Sequence, residues 1–323
     1  MKACLKKLCT FYHNENFALS TGIQYRGELR RRRLRVSPAV GLTQRMNSKL
    51  GLALSGGAGR GLAHIGVLRV LDREGIRPGY LAGTSMGGLV AAGYAAGRTP
   101  DEMEAYASRL GSLGQLLRLA GIGIPRQSLL KLEGLSRLLR QFLAPHESFE
   151  SLPIPLSLAA VDLRSGQRVA LASGSLLPAL RATMAMPGVF APVRIGEQLL
   201  VDGGVLENLP VGLARGMGAP FVLAVDVTLD PRDEASWQKT RMPTISKHLW
   251  RAFAIMITQQ TEAGLRESGP ELVIRPPIPA GINTISGFRH VSQVIQAGER
   301  AMLEVMPRLR ELLDGSADGR TRA

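Results

Sequence analysis

Cysteine is nearly absent from this chain of 323 residues, since its only two cysteines, Cys4 and Cys9, lie close to the amino end. From residue 10 onward the sequence offers no thiol for a disulfide, a zinc site or a cysteine nucleophile. Cysteine chemistry is therefore excluded from almost the whole chain.

Long apolar runs and aromatic side chains are also scarce. No run of about 18 uncharged apolar residues occurs, so we expect no spanning helix, and any membrane contact should be peripheral. No apolar segment near the start has the form of a secretory signal, and the expected location is cytoplasmic. Aromatic residues make up only 5% of the chain, which argues against nucleic-acid binding by base stacking.

The excess of basic residues is concentrated at the amino end. The formal net charge is +14, and residues 1–45 contain ten Lys or Arg but only two acidic residues, which leaves +6 for the rest. We expect this segment to be a disordered basic arm. Two interpretations stay open: an upstream extension, with natural translation starting at Met46, or an arm that contacts anionic lipid at about 1 kcal/mol per basic residue.

After residue 46, short apolar runs alternate with amphipathic stretches, which is typical of an α/β fold. The composition, 45% hydrophobic and 20% charged, suits a globular chain. The spacing predicts strands at Leu50–Leu54, Tyr80–Ala82, Leu156–Val161, Arg168–Ala172, Leu199–Val201, Phe221–Val227 and Leu272–Ile274. It predicts helices at Leu62–Leu71, Leu89–Ala96, His248–Ile257 and Val291–Leu313.

The same pattern divides the chain into four parts, of which the basic arm at 1–45 is the first. Residues 46–228 form the predicted core, which contains a helical insertion at about 100–148 of the kind that often forms a lid. Residues 229–313 complete the same domain with helices after a surface loop near 229–245. Residues 314–323 should be a frayed tail.

The first chemical motif is Gly-Thr-Ser-Met-Gly at residues 83–87, between a predicted strand and a predicted helix. In a nucleophile elbow, the serine lies on a sharp strand-to-helix turn, and Gly83 and Gly87 leave room for the adjoining backbone. Ser85 is therefore a candidate nucleophile. In a chain with 37 glycines, a chance match in a loop is the alternative.

The second motif is the glycine-rich stretch Ser55–Gly61, directly between the first strand and the first helix. Such a loop presents backbone N–H groups beside a helix amino end, where an anion or a developing oxyanion is stabilised. It lacks the Lys-Ser/Thr ending of a nucleotide P-loop and the glycine spacing of a dinucleotide site. Tight packing is the alternative explanation for these glycines. Because the stretch occurs together with an elbow serine, a role in stabilising an oxyanion is favoured.

The third motif is Asp202-Gly203-Gly204, which follows a predicted strand. A turn is the common reading of Asp-Gly, yet a serine nucleophile needs a base to accept its proton. His64 lies on the first predicted helix directly behind the glycine loop, His146 lies in the helical insertion, and His248 and His290 lie in late segments without distinctive neighbours. A lone histidine is more often structural, although Ser85, Asp202 and His290 would match the order of an α/β-hydrolase triad.

Together the three motifs resemble those of the patatin-like phospholipase family, and the bacterial, neuropathy-target-esterase-like group is most similar. The resemblance covers roughly residues 48–228 and includes the segments 64–68 and 182–187. Ala58 stands where the family has its third loop glycine, and Thr183 where serine is usual. Ala58 keeps its N–H group but has less freedom in φ.

The resemblance implies a three-layer α/β/α fold around a mostly parallel sheet. It implies a Ser85–Asp202 dyad without histidine, metal or cofactor, in which Asp202 takes the serine proton directly. The implied oxyanion donors are Gly56, Gly57, Ala58 and Gly59, and the implied supporting residues are Arg60, Gly61, Gly83, Gly87, Gly203 and Gly204. Of these, Arg60 is expected to fix the loop.

The implied activity is hydrolysis of fatty-acyl esters of phospholipids or lysophospholipids through an acyl-enzyme. The expected partners are this lipid substrate and, peripherally, an anionic membrane on its inner face; nucleic acid is not expected. Two alternatives stay open: a Ser-Asp-His esterase of α/β-hydrolase type, and a non-catalytic basic lipid- or nucleic-acid-binding protein.

Overall fold

The computed structural model of the chain describes residues 46–109, 136–230 and 244–315. Eight strands in these ranges form one sheet in the order β5-β6-β3-β2-β1-β7-β8, with β4 paired to β3. The strands are β1 (Met46–Leu54), β2 (Arg77–Gly83), β3 (Leu156–Asp162), β4 (Gln167–Leu171), β5 (Val193–Ile195), β6 (Gln198–Asp202), β7 (Phe221–Val225) and β8 (Leu272–Ile274). The pairs β1–β2, β1–β7, β2–β3 and β7–β8 are parallel, so the sheet is mostly parallel.

Helices lie on both sides of this sheet. Five of them are α1 (Ala63–Arg73), α2 (Ser85–Ala95), α5 (Leu176–Thr183), α6 (Val211–Gly216) and α8 (Val291–Gly315). Residues 100–109 and 136–143 form α3 and α4. The long helix α7 spans Ile245–Ser268.

The two faces of the sheet carry side chains of different size because the central strands alternate large and small residues. On β1, Leu50, Leu52 and Leu54 belong to the large core, together with residues of α1, α2 and α8. Ala53 and Gly51 face the other side, where a Cβ on Gly51 would lie 2.5 Å from the Cβ of Ala219. The small face therefore lets the segment around α6 approach the sheet closely.

The structure confirms the predicted α/β class and the predicted strands and helices, with ends that differ by a few residues. The largest difference is α7, which begins three residues before the predicted helix and continues eleven residues beyond it. The last helix also extends past the predicted start of the tail, to Gly315. The arm at 1–45, residues 110–135 of the insertion, residues 231–243 of the predicted loop and residues 316–323 lie outside the described residues.

Candidate functional site

Ser85 occupies the turn between β2 and α2, with a backbone φ of +54°. This left-handed conformation is uncommon for a residue other than glycine and is found at strained functional turns. The N–H group of Ser85 donates a hydrogen bond to Oγ1 of Thr183, at 3.0 Å. A Cβ on Gly83 would lie 2.5 Å from Cα of Gly88, and one on Gly87 would collide with the carbonyl oxygen of Leu54. The turn therefore has the geometry of a nucleophile elbow.

Asp202 lies at the end of β6 and is 4% exposed. Its Oδ1 accepts a hydrogen bond from the N–H group of Gly204, at 2.8 Å. Its Oδ2 is buried and meets no hydrogen-bond partner of ordinary geometry among the described residues. Burial raises the pKa of this carboxyl to about 6, against the smaller lowering effects of Gly204 and of the nearby Ser85 hydroxyl. Asp202 therefore offers one free basic oxygen close to the candidate nucleophile.

The sheet brings these two residues together along one edge of β3. On that strand, Leu158 pairs with Gly83 of β2, and Ala160 pairs with Asp202 of β6. The opposite edge of the same stretch is taken by β4. The strands β2 and β6 must therefore run toward each other along the same edge and meet end to end. Their meeting point places the elbow directly beside the Asp202 turn.

The two glycines after Asp202 lie close to other atoms of the protein. A Cβ on Gly203 would lie 2.6 Å from both Cβ and the carbonyl oxygen of Ala159. One on Gly204 would lie 3.2 Å from Oδ1 of Asp202, within contact of the carboxylate that it hydrogen-bonds. Both glycines thus fit the supporting role predicted for them.

The glycine loop also lies against the elbow, since a Cβ on Gly56 would be 3.3 Å from Cβ of Ser85. The structure corrects part of the predicted oxyanion set. The N–H of Gly56 already donates to the carbonyl of Asn208, at 3.0 Å, and that of Gly59 to the carbonyl of Thr284, at 2.8 Å. For the N–H groups of Gly57 and Ala58, the described residues provide no such backbone acceptor. These two N–H groups therefore remain as the predicted oxyanion donors.

Ala58 has a φ of +47°, the region that glycine would occupy without strain. The loop is held in this shape partly by Arg60, whose Nε donates to the carbonyl of Val227 and whose Nη1 donates to that of Ile282, both at 3.0 Å. Gly61 makes room for the residue after the nucleophile, because a Cβ there would lie 2.5 Å from Cγ of Met86. Arg60 and Gly61 thus shape the loop around the elbow.

Asn208, which the sequence motifs do not identify, connects the glycine loop to the Asp202 turn. Its side-chain amide donates to Oγ1 of Thr228, at 2.8 Å, and the residue is buried. Its Oδ1 lies 2.5 Å from where a Cβ on Gly56 would be, and 3.3 Å from where one on Gly204 would be. The only sequence signal is its position six residues after Asp202, which has no meaning without the loop geometry.

The histidines of the described ranges make no hydrogen bond with Ser85 or Asp202. His64 is fully buried, and its Nε2–H donates to the carbonyl of Ser55, at 2.9 Å. Burial lowers the pKa of His64 to about 4, so its ring is neutral at ordinary pH. His290 is exposed and donates to the carbonyl of Ser286. His64 thus supports the loop from behind.

An apolar cleft is lined in part by Met86, the residue after the candidate nucleophile. Its volume is about 410 Å³, which includes the space at its open mouth. Its walls come from α1, α2, α3 and α4, and the lining includes Leu62, Ile65, Met86, Leu89, Tyr106 and Phe142. Such an apolar lining is typical of sites that bind apolar ligands. Met86 and Leu89 belong to the large core and also line this cleft.

Within the described ranges, no cluster of three or more His, Cys, Asp or Glu side chains is arranged to hold a metal ion. Nor do those ranges contain a helix that is long and apolar enough to cross a bilayer.

Comparison with known proteins finds that the family model described as Patatin-like phospholipase matches residues 52–215. One NTE family protein of Mycobacterium bovis is 38% identical over 179 residues, which cover 55% of this chain and 49% of the relative. Another NTE family protein of the same organism is 30% identical over 282 residues, which cover 80% of this chain and 47% of that relative. The chain thus spans about half the length of these relatives. The crystal structure of VipD from Legionella pneumophila is 12% identical with a TM-score of 0.44, covering 80% of this chain and 66% of VipD.

Proposed function

Because the chain belongs to the patatin-like phospholipase family, whose members are lipid hydrolases, we propose that it is a serine acyl hydrolase of phospholipids and lysophospholipids. The single observation that carries this proposal is the convergence of Ser85, on its strained elbow, with the buried and unpartnered Oδ2 of Asp202. A nucleophilic serine requires exactly such an adjacent proton acceptor. The two residues form the proposed dyad.

In the first half of the cycle, Oγ of Ser85 attacks the carbonyl carbon of the ester while Oδ2 of Asp202 accepts the hydroxyl proton. The N–H groups of Gly57 and Ala58 donate to the oxyanion that forms, a contribution of about 3 kcal/mol per donor in related chemistry. The tetrahedral intermediate then collapses, and the departing alcohol or lysolipid takes the proton from Asp202. The acyl group remains as an ester on Ser85.

In the second half, Asp202 accepts a proton from a water molecule as that water attacks the acyl-enzyme. The fatty acid leaves, and the proton returns to Oγ of Ser85. A free carboxylate, with a pKa near 4, is a weak base for this task. The pKa of about 6 that burial gives Asp202 makes it a stronger base that is still ionised at neutral pH.

The cleft beside Met86 supports a fatty-acyl substrate over a polar one. Its lining is apolar and includes Met86, the residue that follows the proposed nucleophile. An acyl chain placed there would be removed from water, which contributes about 0.8 kcal/mol per buried methylene. The proposed substrate is therefore an ester whose acyl part is a hydrocarbon chain.

The test is fatty-acid release from a panel of phospholipids, lysophospholipids, neutral esters and thioesters, with fluorophosphonate labelling of the nucleophile. We expect Ser85→Ala and Asp202→Asn each to lower kcat by about a thousandfold or more, and Ser85→Ala to abolish labelling. The matched control is His290→Ala, at an exposed site, which should keep wild-type activity.

Full activity in Ser85→Ala or in Asp202→Asn would refute the dyad. Inactivation by His248→Ala or His290→Ala, with Asp202→Asn only weakened, would identify a triad esterase instead. A folded chain that neither labels nor hydrolyses any ester would favour the non-catalytic lipid-binding alternative.

The proposal also includes a cytoplasmic location with peripheral contact between the basic segment 1–45 and anionic lipid. Ten basic residues in that segment provide the attraction, which salt should screen. Cell fractionation checks it: the protein should leave the membrane fraction on a salt wash, and recovery only outside the cytoplasmic fractions would contradict it.

A further inference from the structure

Exposed apolar side chains cluster on the amino-terminal half of α7. Eight large hydrophobic residues of the described chain are exposed, and four of them lie within eight consecutive positions of this helix. These four are Leu249, Trp250, Ile255 and Met256, and the most exposed are Leu249, at 58%, and Met256, at 66%. The other four are scattered over Leu163, Val273, Ile285 and Leu303. Scattered apolar residues are normal on a surface, whereas a cluster indicates a binding face.

The orientation of α7 shows that this exposure belongs to the helix face and not to a frayed end. Thr258 and Thr261 are buried, and their hydroxyls donate to the carbonyls of Ala254 and Ile257 in the preceding turn. Leu249 and Met256, seven residues apart, lie on the outer side. The helix thus turns polar threonines toward the protein and apolar side chains toward solvent.

The charges on the same half of the helix are all of one sign. Its charged residues are Lys247 and Arg251, and the first acidic residue within the helix is Glu262. The rings of Trp250 and Phe253 lie in a tilted arrangement, with ring centroids 6.4 Å apart. Basic residues beside Trp, Leu and Met are typical of helices that lie in the interface of an anionic membrane. This charge pattern favours a lipid surface over a protein partner.

The cluster is also connected to the candidate site. The side-chain amide of Gln260 donates to the carbonyl of Val205, at 3.1 Å, and Val205 belongs to the turn that follows Asp202. Met256 precedes Gln260 by four residues, about 6 Å along a helix. A surface that holds the outer face of α7 would therefore lie near the dyad.

We propose that the amino-terminal half of α7, defined by Lys247, Leu249, Trp250, Ile255 and Met256, docks the protein onto an anionic lipid surface. This inference rests on the proposed function, since a lipid hydrolase must reach substrate held in a membrane. Docking buries the outer apolar side chains among the acyl chains and leaves the exposed Lys247 at the headgroups. The lipid chemistry recognised is that of an acidic glycerophospholipid bilayer.

The test uses the full chain carrying Ser85→Ala, so that lipid is bound but not consumed. Partition onto phosphatidylcholine vesicles with and without phosphatidylglycerol is measured by sedimentation, at low salt and at high salt. High salt screens the attraction of the basic segment 1–45, while apolar insertion persists. We expect the double variant Leu249→Gln/Met256→Gln to reduce partition at high salt by about tenfold or more.

The matched control is Leu163→Gln/Leu303→Gln, which removes two exposed leucines elsewhere and should bind as the parent chain does. A second readout needs no change on the docking face. With Trp237→Phe, Trp250 is the only tryptophan, and its emission should shift to the blue and be quenched by brominated phospholipid. Lys247→Glu should reduce the preference for phosphatidylglycerol.

Equal partition of the α7 double variant and the parent chain, or an unquenched Trp250, would overturn the proposal. A dimer that the double variant dissociates, with no change in vesicle binding, would assign the face to a second copy instead. With Ser85 intact, activity on vesicle lipid relative to a water-soluble ester should fall about tenfold in the double variant. If no ester is hydrolysed but Trp250 still inserts, the proposed function fails and the docking face stands.

Discussion

Replacing Asp202 by asparagine removes a buried charge, and we expect the variant to lose activity while its stability relative to the wild type rises with pH. Burial raises the pKa of this carboxyl from 3.8 to about 6 in the folded chain. The folded state therefore holds the proton more tightly than the unfolded state does. The resulting stabilisation is complete below pH 3.8 and is lost as the pH rises through about 6.

The size of the pKa shift gives the size of the effect. At about 1.4 kcal/mol per unit, the rise from 3.8 to about 6 corresponds to about 3 kcal/mol in total. About 1.4 kcal/mol of this falls between about pH 5 and about pH 8. Asparagine does not titrate. The free energy of unfolding of the Asp202→Asn variant should therefore rise by about 1.4 kcal/mol relative to that of the wild type between about pH 5 and about pH 8. Groups that titrate in both chains, such as His64, cancel in the difference.

Denaturant unfolding of the two chains, followed by circular dichroism across this pH range, measures the difference directly. In parallel, kcat/KM of the wild type for an uncharged ester should rise about tenfold per pH unit below about 6 and then level off. A difference in stability that stays constant with pH would refute the assignment of Asp202 as a buried base. So would a wild-type pH profile without a break near 6.

Three further changes test the groups around the dyad. Thr183→Ala removes the acceptor of the Ser85 N–H and should lower kcat by about tenfold, which Thr183→Ser should restore; equal steady-state rates in all three chains would contradict this role. Asn208→Asp adds a carboxylate beside the Asp202 turn and should move the break in kcat/KM to higher pH, whereas an unchanged profile would exclude this proximity. Ala58→Gly should stabilise the fold by up to about 1 kcal/mol and Ala58→Val should destabilise it; thermal melts in the opposite order would argue against the left-handed φ.

The fold could be predicted from the sequence because its elements are strongly periodic. Leu50, Leu52 and Leu54 alternate with Gly51 and Ala53, and this spacing identifies both the strand and its two faces. The end of α7 could not be predicted in this way. Its later turns carry Gln260, Thr261 and Glu262, which have no apolar period, and contacts to other segments hold them in the helix.

The candidate site was accessible from sequence only where a motif is local. Ser85 lies between two close-packed glycines and Asp202 directly precedes two more, so their turns leave a signature. Hydrogen bonds between distant segments leave none. The donation from Gly56 to Asn208 joins residues 152 positions apart and removes an N–H group from the predicted oxyanion set. Thr183 and Asn208 contribute to the site through contacts of the same kind.

The end-to-end meeting of β2 and β6 on β3 has a consequence for how activity is lost. Ser85 follows β2, which lies in the centre of the sheet between β1 and β3. Asp202 ends β6, a strand near the margin of the sheet that pairs with β3 over only three residues. Margins of a sheet open locally at lower free energy than its centre. Mild heat or denaturant should therefore separate the base from the nucleophile while the central strands remain folded, so that inactivation precedes global unfolding.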